Sequence, residues 1–154
     1  MNSDYIYVAK IAKSTSVDGV GLRNSLYVSG CPIRCPGCHN SEWWELESGT
    51  LRPVNEVADE LLEDEFNVSI LGGEPLMQYE AIVKLCQYIK EQRPNCNIWM
   101  WTGYTAEHVA QHYSHILQWI DTLVDGPYIQ AQHTTDLPFR GSMNQSIINV
   151  KNIK

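Results

Sequence analysis

The chain has 154 residues, 44% of them hydrophobic, and carries a formal net charge of −7 at pH 7. This length and apolar content predict one domain, residues 1–154, with a sizeable core. The negative charge disfavours nucleic acid and anionic membrane surfaces as partners, and no apolar run approaches the roughly 18 residues of a membrane span. No basic segment leads into an apolar stretch near the N-terminus, so no secretory signal is expected and we predict a cytoplasmic location.

Hydrophobic periodicity and turn residues predict an alternation of strands and helices. Strands are predicted at residues 5–9, 25–29, 68–71, 98–101, 122–125 and 147–150. Helices are predicted at residues 40–46, 54–62, 78–92, 105–113 and 114–119. Pro53 is expected as the first residue of the second helix. The helix over 78–92 is the clearest, because apolar residues recur at core spacing from Ile82 to Ile89 and Pro94 follows its end.

This alternation is typical of an α/β fold with a mainly parallel sheet and helices packed outside. The chain is too short for eight strand–helix units, so we expect an open, incomplete (β/α) barrel. Parallel strands place their carboxyl ends at one edge of a sheet, and polar segments follow four of the predicted strands at those ends. We therefore expect one ligand site at this edge, with a large protein partner covering the open side.

Three cysteines, Cys31, Cys35 and Cys38, follow the second predicted strand in a C-x3-C-x2-C pattern, and residues 31–38 are here called the cysteine loop. Three converging thiolates favour a soft-metal centre, either an iron–sulfur cluster or zinc. Three ligands on a four-iron cluster would leave one iron open to a small molecule. The alternatives are structural cysteines in a turn, or zinc with His39 as fourth ligand. In a reducing cytosol, an odd total of five cysteines favours metal over disulfides.

Further polar residues follow the later predicted strands. Gly72-Gly73-Glu74 is by itself a weak signal, because glycines are also common in plain strand-end turns. Each of the remaining candidates either contacts a ligand or holds the backbone of its own loop. These candidates are Thr102, Tyr104, Asp125, Arg140, Asn144 and Gln145.

Three histidines, His108, His112 and His115, fall on predicted helical segments. Residues four apart share a helix face, so a second metal site is conceivable there. No acidic residue lies among them, and a solvated helical face is the favoured interpretation.

Taken together, these motifs resemble those of the radical S-adenosylmethionine (SAM) superfamily and, more narrowly, the activating enzymes of anaerobic (class III) ribonucleotide reductases. The cysteine loop and the Gly-Gly-Glu segment are shared across the superfamily, whereas the Trp-Thr-Gly-Tyr and Arg-Gly-Ser-x-Asn-Gln segments narrow the resemblance. The matching segments are residues 18–23, 26–40, 71–76, 99–104, 124–128 and 139–145. One departure is Gly37, where the superfamily often has an aromatic residue, although the activase subgroup tolerates glycine.

The resemblance implies one 4Fe-4S cluster per chain, held by Cys31, Cys35 and Cys38, with SAM bound at its open iron. It also implies SAM contacts from Gly37, His39, Gly72, Gly73 and Glu74, and less specifically from Thr102, Tyr104, Asp125, Arg140 and Asn144. The implied reaction is reductive cleavage of SAM, which generates a glycyl radical on the large subunit of the anaerobic ribonucleotide reductase. A flavodoxin-type or other low-potential donor supplies the electron. The cofactors carry this chemistry, so no side chain is expected as a catalytic acid or base.

Two other functions remain open at this point. The first is a related radical SAM enzyme, either an activase of another glycyl-radical enzyme or a small synthase of the 7-carboxy-7-deazaguanine type. Such a synthase should enclose its substrate with more residues than this short chain offers. The second is a zinc-binding interaction domain without enzymatic activity.

Overall fold

The structure is a computed structural model that describes residues 3–35, 41–127, 129, 132, 139–140, 142 and 144–153. The described residues form a seven-stranded sheet in the order β3-β1-β2-β4-β5-β6-β7. The strands are β1 (Tyr5–Thr15), β2 (Arg23–Val28), β3 (Thr50–Pro53), β4 (Asn67–Gly72), β5 (Ile98–Trp101), β6 (Thr122–Asp125) and β7 (Ser146–Asn149). Three α-helices accompany them: α1 (Val54–Leu61), α2 (Tyr79–Gln92) and α3 (Ala106–His112). The expected α/β class is confirmed.

The centre of the sheet is parallel, but its flanks are not. β2, β4, β5 and β6 pair in parallel, whereas β1 is antiparallel to both β2 and β3, and β7 is antiparallel to β6. Residues 16–22 join β1 to β2, and this connection is too short for the crossover that a parallel pair needs. The expected mainly parallel sheet is therefore present in its four central strands, and β1, β3 and β7 add antiparallel strands at its edges.

One face of the sheet carries the hydrophobic core. Leu26, Val28, Val68 and Ile70 alternate along β2 and β4 and are completely buried, as period-two side chains on a covered face should be. α1 and α2 cover this face with buried residues at helical spacing: Val54, Val57, Ala58 and Leu61 from α1, and Ala81, Ile82, Leu85, Cys86 and Ile89 from α2. This packing confirms the predicted core face of α2.

The opposite face of the sheet is polar and aromatic. Arg23 and Ser69 lie side by side on it and are 1% and 0% exposed, and the Arg23 Nε donates to Ser69 Oγ over 2.7 Å. The Arg23 guanidinium carbon lies 5.5 Å from the centre of the Trp99 ring. Residues 16–22 lie over this face, where the carbonyl of Asp18 accepts a hydrogen bond from Ser69 Oγ.

Several element boundaries differ from the predictions. β1 extends to Thr15 instead of ending at residue 9, and Pro53 ends β3 as the residue that precedes α1, instead of opening the helix. β3 was not expected at all. The short helix expected at 40–46 is present in part as a 3-10 turn at Ser41–Trp43, and its first residue lies outside the described part of the chain.

None of the described helices is both long and apolar enough to cross a lipid bilayer.

Candidate functional site

The carboxyl ends of the four parallel strands lie along one rim, and hydrogen bonds join the loops that follow them. The backbone N–H of Glu74, after β4, donates to the carbonyl of Gly30, after β2, over 2.7 Å. After β5 and β6, Thr102 N–H donates to the Val124 carbonyl over 3.0 Å, and Gly126 N–H donates to the Tyr104 carbonyl over 2.8 Å. Segments up to 96 residues apart in sequence, from Gly30 to Gly126, therefore share one edge of the sheet, as parallel topology predicts.

The cysteine loop starts at this rim. Gly30 N–H and Cys31 N–H donate to the carbonyls of Trp43 and Trp44 over 2.7 and 2.9 Å, which fixes the start of the loop. Cys31 and Cys35 are half-buried thiols outside any disulfide. Burial raises the pKa of the Cys31 thiol, so a metal ion must displace its proton on binding.

Three of the expected site residues, Gly37, Cys38 and His39, lie outside the described residues. Within the part of the chain that is described, no group of three His, Cys, Asp or Glu side chains is placed to hold a metal. The two described thiols nevertheless have the soft donor chemistry that an iron–sulfur cluster requires. They also lie at the rim where the strand-end loops converge.

The two glycines after β4 allow backbones to pack closely at the rim. Gly72 has φ of +119°, a conformation that side-chain-bearing residues rarely adopt. A Cβ atom on Gly73 would lie only 2.6 Å from the carbonyl oxygen of Gly30, just before the cysteine loop. Glycine at both positions thus brings the Gly-Gly-Glu segment against the base of the cysteine loop.

Among the described ionisable groups at the rim, Glu74 is the most buried, with 1% of its surface exposed. Its Oε1 accepts from Gly103 N–H over 2.6 Å, and its Oε2 accepts from Leu76 N–H over 3.0 Å. The hydroxyl of Thr102 lies within 3.0 Å of both carboxyl oxygens. Burial raises the pKa of Glu74 to about 7, although these donors act in the opposite direction.

Thr102 and Tyr104 occupy the loop after β5. Thr102 is 4% exposed, and its hydroxyl also accepts from Tyr104 N–H over 3.1 Å. The Tyr104 ring stacks on His108 with 4.6 Å between centroids. The His108 and His112 rings are also neighbours at 4.6 Å, so this helix face packs on aromatic residues as well as facing solvent.

The candidate residues after β6 form hydrogen bonds to backbone groups of the chain. Asp125 accepts from Ala106 N–H over 2.8 Å at the start of α3 and from Ser146 N–H over 3.2 Å in β7. Asn144 Nδ2 donates to the Pro127 carbonyl over 2.8 Å, and Gln145 Nε2 donates to the Gly126 carbonyl over 3.0 Å. These contacts correspond to the alternative in which the loop residues support their own chain. Arg140 Nη1 reaches the Gln145 carbonyl at 3.4 Å, whereas its buried Nε has no hydrogen-bond partner among the residues that the structure describes.

Sequence reasoning assigned no role to the buried guanidinium of Arg23. Its Nη2 donates to the carbonyls of Val68 and Asn97 over 2.8 and 2.9 Å. Burial lowers the pKa of Arg23 to about 10. No clear signal for this burial is present in the sequence, because Arg23 opens a polar run of three residues, Arg23-Asn24-Ser25, at the start of β2. The buried charge is tolerated because hydrogen bonds satisfy it.

The chain matches the model of the 4Fe-4S single cluster domain over residues 17–148. This match covers most of the sequence and assigns the chain to that class of iron–sulfur proteins.

Similar proteins narrow the assignment. A protein from Vibrio cholerae is 39% identical over 140 residues, which cover 85% of this chain and 90% of the relative. One from Escherichia coli is 33% identical over 145 residues, covering 88% and 93%, and one from Enterobacteria phage T4 is 35% identical over 153 residues, covering 96% and 93%. All three are named anaerobic ribonucleoside-triphosphate reductase-activating protein. The chain belongs to this family of activating proteins.

Proposed function

We propose that the chain is a radical SAM activase, which cleaves SAM reductively at a 4Fe-4S cluster and generates a glycyl radical on the large subunit of an anaerobic ribonucleotide reductase. The observation that carries the proposal is the position of Cys31 and Cys35. Cys31 directly follows Gly30, on which Gly73 packs, and its thiol lies within electrostatic reach of Cys35 and of the Glu74 carboxylate. The family of activating proteins supports the same conclusion.

When bound, the cluster and SAM supply the one-electron chemistry that breaks a carbon–sulfur bond. Cys31, Cys35 and Cys38 would hold the cluster. Backbone groups of Gly37, His39, Gly72 and Gly73, together with the Glu74 segment, would form the SAM site. The chain contributes binding, orientation and exclusion of water, and none of its side chains is required as a general acid or base.

The other rim residues would shape this site. Thr102 and Tyr104 would border the nucleoside, because they follow β5 beside Glu74. The loop between β6 and β7 would be kept in place by hydrogen bonds to the backbone. The side chains of Asp125, Arg140 and Asn144 each make such a bond. A substitution of one of these three residues should therefore make the loop less ordered as well as lower the affinity for the ligand.

We further propose that residues 1–154 act as one radical SAM domain whose sheet forms the open, incomplete (β/α) barrel. The polar face that carries Arg23 and Trp99 would be its inner side, which the reductase subunit would cover. A low-potential donor of the flavodoxin type would reduce the cluster. The cytoplasm, where thiols stay reduced, is the compartment that suits these cysteines.

Anaerobic reconstitution with iron and sulfide tests the proposal. We expect about four irons per chain, and 5′-deoxyadenosine released from SAM under a strong reductant, as a 4Fe-4S radical SAM enzyme requires. Adding the reductase large subunit should produce a glycyl radical signal in electron paramagnetic resonance (EPR) spectra. Cys31→Ala should abolish both products, whereas Cys96→Ala, which removes a thiol distant in sequence from the loop, should retain them.

Two results would overturn the proposal. One bound zinc per chain without SAM cleavage would indicate an interaction domain. SAM cleavage without a radical on the reductase would indicate another radical SAM enzyme.

A further inference from the structure

The structure assigns Glu74 the role of a positioning residue: its carboxylate joins the loops after β4 and β5 and thereby sets the position of Ile33 in the described part of the cysteine loop, and it does not itself bind SAM. This inference rests on the proposed function for its ligand, but the contacts that carry it lie within the protein.

Both oxygens of the Glu74 carboxylate already accept hydrogen bonds within the protein. Three donors converge on its two oxygens: Leu76 N–H, Gly103 N–H and the hydroxyl of Thr102. A carboxylate offers about four acceptor sites, but with 1% of the residue exposed an incoming ammonium group could reach the remaining one only by moving the backbone that covers it. A displaced backbone N–H would then lose its partner in a buried site, which is unfavourable. The geometry is that of a structural bridge.

The bridge reaches the cysteine loop through Gly103. A Cβ atom on Gly103 would lie 2.4 Å from the Cδ1 of Ile33, so the Ile33 side chain sits directly on this glycine. Ile33 stands between Cys31 and Cys35. A shift of Gly103 would therefore move the middle of the cysteine loop, and the Gly103 N–H is held by Glu74 Oε1 at 2.6 Å.

Thr102 completes the arrangement. Its hydroxyl donates to the Glu74 carboxylate and accepts from the N–H of Tyr104, so one oxygen connects the carboxylate with the far side of the loop after β5. Removing this hydroxyl should loosen the same loop as altering Glu74.

The first test compares Glu74→Gln, Thr102→Val, their combination and Thr102→Ser in the cluster-free protein. Thr102→Val removes the hydroxyl at nearly constant volume, and Thr102→Ser keeps it. For a bridge, the loss in thermal midpoint of the double variant should be clearly smaller than the sum of the two single losses, and Thr102→Ser should stay near the wild type. Additive losses would overturn the inference. This measurement requires neither cluster nor SAM.

The second test uses the reconstituted, reduced protein. For a bridge, Thr102→Val and Glu74→Gln should both shift the EPR signal of the cluster before any nucleoside is added, whereas Thr102→Ser should not. A signal that changes only after ligand addition would point to direct ligation. If Glu74→Gln does not retain its cluster, the comparison of Thr102→Val with Thr102→Ser alone decides between a structural bridge and direct ligation.

The third test asks directly whether Glu74 pairs with the ammonium group. The probes are S-adenosylhomocysteine and its deamino analogue, with affinities measured by calorimetry on the wild type and Glu74→Gln. For a positioning residue, loss of the amino group should raise Kd by the same factor in both proteins, within about twofold. A tenfold larger factor in the wild type, equal to roughly 1.4 kcal/mol, would assign Glu74 as a ligand. Failure of the wild type to bind either probe or to cleave SAM would contradict the proposed function, while the first test would still report on the bridge.

Discussion

Arg23 and Trp99 face each other on the side of the sheet away from the helices, with 5.5 Å between the guanidinium carbon and the ring centre. The guanidinium is almost fully buried, and its hydrogen bonds go to carbonyl oxygens and to polar side chains that include Ser69 and Asn97. A buried cation that lacks these partners is strongly destabilising, so this group should be among the most sensitive positions of the fold.

Arg23→Lys should lower the free energy of unfolding by about 2–4 kcal/mol, because an ammonium group cannot reproduce the forked hydrogen bonds to Val68 and Asn97. Urea unfolding of the cluster-free protein measures this loss. Arg52→Lys is the matched control, because Arg52 pairs with Glu56 and Glu60 at the surface. Its effect should stay below about 1 kcal/mol. Equal losses at both positions would contradict the structural role given to Arg23.

Gly73→Ala should destabilise the protein by about 1–3 kcal/mol, because the new methyl group meets the backbone carbonyl of Gly30 at 2.6 Å. In Gly103→Ala, the only contact shorter than 3.4 Å is with the tip of the Ile33 side chain, whereas Glu74 Oε1 lies at an ordinary 3.5 Å. Shortening that side chain with Ile33→Ala should therefore relieve Gly103→Ala, whereas it should not relieve Gly73→Ala. Thermal unfolding of the three single variants and the two double variants measures the difference. Relief of both glycine variants would argue against the backbone contact.

Glu74 should make the stability of the cluster-free protein depend on pH. Its pKa in the fold is about 7 against an ordinary 4.5, so between these values the folded state binds more protons than the unfolded state. The free energy of unfolding should accordingly fall as pH rises from about 4.5 to about 7, by about 3 kcal/mol at most, and this contribution should then level off.

Glu74→Gln should remove this part of the pH profile, since glutamine does not titrate. The measurement is the urea unfolding free energy at several pH values for both proteins. An identical slope in the wild type and the variant would show that other groups cause the pH dependence.

The cysteines should differ in their reactivity towards iodoacetamide in the native, cluster-free protein. Cys31 and Cys35 are partly exposed, whereas Cys86 and Cys96 are both 0% exposed. Mass spectrometry should find Cys31 and Cys35 alkylated under native conditions, and Cys86 and Cys96 only after addition of urea. Burial raises the pKa of the Cys31 thiol, so it should react more slowly than an exposed cysteine. If Cys86 were alkylated under native conditions, the packing of α2 would differ from that in the structure.

The sequence predicted the periodic elements well because their patterns are local. α2 was expected from its helical spacing, and the central strands from short apolar runs that end at glycine or polar residues. β3 was missed because it is only four residues long and ends at Pro53, which an edge strand tolerates. The order and direction of the strands depend on long-range pairing. No local pattern showed that β2 would pair antiparallel with β1.

In the candidate site, too, local sequence patterns could be predicted and long-range contacts could not. The spacing of Cys31 and Cys35 and the pair Gly72-Gly73 marked the rim correctly. That the carboxylate of Glu74 would be taken by Thr102 and Gly103 could not be predicted, because these partners lie 28 and 29 residues away and meet Glu74 only through strand pairing. For Asp125 the sequence left open a ligand contact or a backbone-holding role, and the structure shows its carboxylate accepting a hydrogen bond at the start of α3.

The backbone bonds from Gly30 and Cys31 to Trp43 and Trp44 close the segment between them into a ring before any metal arrives. An arriving metal thus meets a chain whose ends are already joined, which lowers the entropy lost when its ligands are gathered. Oxidative loss of the cofactor should consequently leave a local defect in an intact scaffold, and repeated cycles of loss and reloading should not require the protein to refold.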